Sequence, residues 1–134
     1  MPTATGYTLT ATTADEPADA IERVRAALKE EGFGVLSEID VQATLKEKLD
    51  IDAEPYVILG ACNPPLAHEV LSAEPELGTL LPCNVVVYRR EGETHISAID
   101  AERMLSVVGN DDLAPIAGEV RTKLARVVER AAGI

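Results

Sequence analysis

The chain has 134 residues, 46% hydrophobic and 26% charged, which fits one domain with a single core. Its 23 acidic against 12 basic residues give a formal net charge of −11. That balance argues against non-specific binding to nucleic acid or an anionic membrane, either of which needs a basic patch. No apolar run approaches the roughly 18 residues of a membrane span, and Met1-Pro2-Thr3-Ala4 lacks the basic-then-apolar order of a secretory signal. The expectation is therefore a cytoplasmic protein. With only four lysines, its acidic surface suits a salt-rich cytoplasm, where ions screen self-repulsion.

Tyr7 to Thr13 alternates apolar and β-branched polar residues and predicts a strand. Thr13 and Glu16 stand at capping-box spacing, with Pro17 in the first turn of a helix whose apolar face holds Ala18, Ile21, Val24 and Leu28. Gly32 ends that helix. Phe33-Gly34-Val35-Leu36 predicts a short strand containing the only Phe, so the core must be aliphatic. Asp40 caps a second helix with Val41, Leu45 and Leu49 at four-residue spacing.

Tyr56-Val57-Ile58-Leu59 is a continuous apolar run, as expected of a strand buried on both faces. Asn63 is a good N-cap and Pro64-Pro65 can open a third helix, with Leu66, Val70 and Leu71 inward. Leu77 to Leu81 reads as an apolar linker. Val85 to Tyr88 and His95 to Ile99 flank Arg89-Arg90-Glu91-Gly92-Glu93, a hairpin signal. Asp100 caps a short helix, and a long one follows over residues 111–132, with Leu113, Ile116, Ala117, Val120, Leu124, Val127, Val128 and Ala131 on one face.

The order β-α-β-α-β-α-β-β-α-α predicts a two-layer α+β domain spanning 1–134. One mixed or antiparallel sheet would carry helices mainly on one face. Neither strand order nor a repeat can be read from these patterns.

Four ordered motifs carry a resemblance. They are Gly32-Phe33-Gly34-Val35-Leu36-Ser37-Glu38-Ile39-Asp40-Val41, Tyr56-Val57-Ile58-Leu59-Gly60-Ala61-Cys62-Asn63-Pro64, Leu81-Pro82-Cys83-Asn84-Val85-Val86-Val87 and Ser97-Ala98-Ile99-Asp100. On these the chain resembles the Domain of Unknown Function 302 family over a core of residues 6–108. The resemblance implies a small two-layer α+β domain, often dimeric, without an established activity, and leans towards thiol chemistry.

Both cysteines precede an asparagine, as Cys62-Asn63 and Cys83-Asn84, each where a strand meets a proline-marked break. Two cysteines do not make a disulfide framework, and their spacing fits neither a Cys-x-x-Cys redox motif nor a four-ligand zinc site. If Asn63 caps the third helix, Cys62 lies just outside a helix N-terminus, whose partial positive charge favours a thiolate. The plainer alternative is a small apolar residue filling a strand end. Cys83 becomes a partner if the two strands are neighbours. His68, about one turn up the helix, would complete a three-ligand soft-metal set, but a solvent-facing histidine is the preferred reading, and no metal or cofactor is expected. His95 is expected to be exposed. Asn63 and Asn84 serve the backbone first and can orient a ligand second. Phosphate-loop, dinucleotide and nucleophile-elbow motifs are absent. Two readings result: a small-ligand or thiol-dependent binding domain at Cys62, Asn63, Cys83, Asn84 and His68, or a non-catalytic homodimeric module in which the cysteines only pack.

Overall fold

The computed structural model describes residues 2–134. Strands β1 (Thr3–Ala4), β2 (Thr8–Thr13), β3 (Gly34–Asp40), β4 (Tyr56–Cys62), β5 (Cys83–Arg90) and β6 (Glu93–Ile99) form one sheet, ordered β1-β2-β6-β5-β4-β3. Every pairing is antiparallel. The helices are α1 (Pro17–Glu30), α2 (Val41–Leu49), α3 (Pro64–Ala73), α4 (Ala101–Ser106) and α5 (Ala114–Ala132). This is the two-layer α+β architecture expected from the sequence, with β1 as an additional short edge strand.

Alternation along the strands sorts side chains between the two sides of the sheet. Leu9, Leu59, Val85, Val87, Ile96 and Ala98 point to one side and are fully or almost fully buried. Against them lie Val24 and Leu28 of α1 and Leu124, Val127 and Val128 of α5, all at 0% exposure. The buried face of α1 is rotated from the expected one: Ala20 and Ala27 are buried, while Ala18 is exposed and Ile21 only half-buried. Ala20 and Ala27 share one core with the buried Ala131 of α5, the helix beside which α1 lies.

The helix ends follow local chemistry, with one exception. Asp40 accepts from the Ala43 N–H at 2.9 Å, and Asp100 accepts from Glu102 at 3.0 Å and Arg103 at 3.4 Å. The capping box of Thr13 and Glu16 does not form: Glu16 makes no side-chain cap, and the Thr13 hydroxyl donates to Asp15 instead. Pro17 removes one of the donors a cap would satisfy. Gly32 (φ +84°) follows α1 and Gly133 (φ +79°) follows α5, the left-handed closure that glycine adopts without penalty.

Two expectations are revised. The strand from Phe33 is longer, running from Gly34 to Asp40 with a bulge between Val35 and Ser37, and the segment before Pro82 contains a 3₁₀ turn over Pro75–Thr79. Helix α2 flanks the opposite side of the sheet from the other helices; Val41, Gln42 and Leu45 are half-buried there and none of its residues is fully buried.

Candidate functional site

Strands β4 and β5 pair so that Ala61 faces Cys83, which places the two Cys-Asn steps together at one end of the sheet. Cys83 points to the helix side and is 8% exposed. Cys62, the last residue of β4, stands where the chain turns into α3 and is half-buried. Both are free thiols. Burial, and secondarily the neighbouring Cys62, push the Cys83 thiol up to about 11, so it remains protonated at neutral pH.

Both cysteines line a cavity of about 240 Å³ between the sheet end, α3, α4 and α5. Phe33, Leu66, Val70, Leu81, Met104 and Ile116 form most of its apolar lining, with Leu36 and Leu71 among the more exposed contributors. No lining residue is charged, and Asn63 is the only one with a side-chain amide. That amide is already engaged: its Oδ1 accepts from the Leu66 N–H and its Nδ2 donates to the Glu31 carbonyl, both at 3.4 Å.

The surrounding backbone holds this arrangement. Gly60 lies beneath Pro82, which follows a cis peptide bond from Leu81. A Cβ on Gly60 would stand 2.8 Å from the Pro82 Cγ and 2.3 Å from the Ser37 Oγ. Gly32 meets Asn63 in the same way, with the Nδ2 3.2 Å from where a Cβ would be. Glu31 is anchored by Arg126 through two hydrogen bonds of 2.8 and 3.0 Å. Arg126 holds the Glu31 carboxyl below its ordinary range, against the opposing effect of burial. The cavity mouth is thus tied to α5 through the end of α1.

The predicted site residues divide. Cys62, Asn63 and Cys83 meet at the cavity. Asn84 does not join them; one residue beyond Cys83 on a strand, it points to the other side, exposed, as alternation requires. His68 is exposed on α3 and outside the cavity lining. Among the described residues no group of three or more His, Cys, Asp and Glu is placed to hold a metal ion. The N-terminus of α3 offers Cys62 little: Pro64 and Pro65 lack N–H groups, and that of Leu66 is taken by Asn63.

His95 departs from the expectation of exposure. It is half-buried and stacked on Tyr88 (centroids 4.8 Å apart, planes 4° apart), which stacks on Tyr56 at 5.2 Å and 15°. This ladder crosses β6, β5 and β4 on the side without the main helix layer. It lies in an open trough of about 860 Å³ that also includes Tyr7, Asn84, Val86, Arg90 and the α2 residues Val41 and Leu45. Part of this ladder has a local signal, since the hairpin pairs Tyr88 with His95; Tyr56 joins it only through the pairing of β4 with β5. The contributions of Met104 and Ile116 to the cavity had no such local signal.

No curated protein matches the chain. A solved structure does, that of an uncharacterized conserved DUF302 protein from Bacillus stearothermophilus. It shares 34% identity and a TM-score of 0.87, with 92% of this chain and 97% of that one covered. The family model described as "Domain of unknown function DUF302" matches residues 8–131. Among the described residues no helix is long and apolar enough to cross a membrane. By its sequence match and its fold, the chain belongs to the DUF302 family.

Proposed function

We propose that this domain binds a neutral, apolar small molecule in the cavity at Cys62 and Cys83, with Cys62 as the thiol that the ligand meets. The observation that carries this reading is a cavity wall with both thiols and no charged side chain. A carboxylate or phosphate entering it would lose hydration and find no counter-charge, a cost of several kcal/mol. An alkyl chain or uncharged ring would gain about 25 cal/mol for each Å² of apolar surface buried. Cys62 is the more exposed thiol, whereas Cys83 is buried and protonated. Asn63 positions the wall by capping α3, while Asn84 and His68 belong to other surfaces.

Alkylation by N-ethylmaleimide tests this. Cys62 is expected to react first, and 1-decanol to slow that reaction while decanoate does not. Cys62→Ser should abolish the fast phase and His95→Ala should leave it unchanged. Equal protection by both compounds, or by neither, would contradict the reading.

A second reading, a non-catalytic module acting as a homodimer, is favoured by one observation: the apolar face of α2 ends on the exposed Leu49, beside the exposed Ile51.

A further inference from the structure

We propose that the trough on the open side of the sheet is a second ligand site for the zwitterion of an aromatic α-amino acid, with its ring over the Tyr56, Tyr88 and His95 ladder and its charged head group between Glu54 and Arg90. The site is across the sheet from the cysteines and is independent of what the cavity there binds.

The first argument is charge. Of the two arginines that line the trough, Arg89 is engaged: its guanidinium donates to Glu16 at 3.1 Å and to the Gly92 carbonyl at 3.3 Å. That leaves Arg90 as the free guanidinium and Glu54 as the acid in the lining. Among the described residues neither has a hydrogen-bond or ion-pair partner, although both stand at one end of the trough. There the Arg89 N–H donates to the Pro55 carbonyl at 3.0 Å and continues the pairing of Tyr56 with Tyr88. Glu54 and Arg90 come next along the two segments. Glu93, opposite Arg90 in the hairpin, is outside the trough lining. A lone anion here is attracted by Arg90 and repelled by Glu54, and a lone cation meets the reverse. A head group with an ammonium and a carboxylate on one carbon satisfies both.

The second argument is the floor. Stacking with planes 4° and 15° apart turns the ladder's ring faces toward each other and leaves their edges toward the trough. Those edges carry partial positive charge and suit the negative face of a ligand ring laid across them. Val41, Leu45 and Val86 supply apolar flanks. Burial first, and then the phenols of Tyr88 and Tyr7, hold the Tyr56 phenol above its ordinary range. It therefore stays protonated at neutral pH, a donor beside the head group's end of the trough. The space of about 860 Å³ is within the range of small-ligand sites.

Tyrosine fluorescence reads this site alone, because the chain has three Tyr and no Trp and all three tyrosines line the trough. L-phenylalanine is expected to change that emission saturably, with excitation where phenylalanine does not absorb. 2-Phenylethylamine lacks the carboxylate and 3-phenylpropionate lacks the ammonium, and each should bind about tenfold more weakly. Arg90→Gln should weaken L-phenylalanine about tenfold without weakening 2-phenylethylamine. Glu54→Gln should weaken L-phenylalanine to a similar extent without weakening 3-phenylpropionate. Both side chains are exposed and unpartnered among the described residues, so the variants should keep the wild-type circular dichroism. No saturable change at about 10 mM L-phenylalanine, equal affinity for the three compounds, or variants that bind as the wild type does would overturn the proposal.

Discussion

The two sides of this sheet are built from the same strands by opposite rules. Toward the helices, alternate positions of β4, β5 and β6 are aliphatic and closed: Leu59, Val85, Val87 and Ile96 are all at 0% exposure. Toward the trough, the intervening positions are Tyr56, Tyr88 and His95, half-buried and stacked on each other. The closed side derives its stability from burial and leaves a gap at the cysteines. The open side keeps its apolar area in reserve. The two faces are thereby separated by one residue of strand alternation, as the buried Cys83 and the exposed Asn84 show most plainly.

Breaking the closed side should have the largest effect. Leu124→Ala removes a fully buried side chain of α5 and should cost about 2–5 kcal/mol, read by urea denaturation. Gly60→Ala comes next. Its Cβ collides with Ser37 and Pro82, so an overpacking cost of about 1–3 kcal/mol is expected, together with altered Cys62 alkylation because Pro82 borders the cavity. Asn63→Ala removes the cap of α3 and should cost about 1 kcal/mol. On the open side, Tyr88→Ala interrupts both stacks and should cost the fold about 1–2 kcal/mol.

A subtler change sharpens the contrast through pH. Arg126 holds the Glu31 carboxyl below its ordinary value of 4.5, so the pair stabilises the fold above that value. Its contribution is lost as pH falls from 4.5 through the lower folded-state value. In Glu31→Gln, that part of the acid-induced fall in melting temperature should be absent. Cys83 has the opposite sign: its stabilising contribution is present below its ordinary value of 9.0 and lost as pH rises towards about 11.

Much of this was legible in the residues, for local reasons. Asp40, Asn63 and Asp100 announce helix starts because capping is decided within three or four positions. The hairpin and the long final helix carry their own periodicity. The buried face of α1 differs from its apolar pattern because alanine contributes little to such a pattern, yet Ala20 and Ala27 are buried in the main core. The failed Thr13–Glu16 cap shows that spacing permits a hydrogen bond without enforcing it. For the site, the meeting of Cys62 with Cys83 needed the strand order β5-β4, which no local pattern encodes. The cavity needed Met104 and Ile116 from distant helices, and its existence is a property of packing alone. Asn84 was grouped with Cys83 by adjacency, although alternation already separates them.

The central claim, a neutral apolar ligand at the thiol-lined cavity, is most directly tested by amide chemical shifts during titration with 1-decanol and with decanoate. Decanol should shift Phe33, Ala61, Ala67 and Met104 of the cavity lining, while decanoate leaves them in place. Shifts confined to Tyr56, Tyr88 and His95 across the sheet, or equal shifts with both compounds, would contradict it.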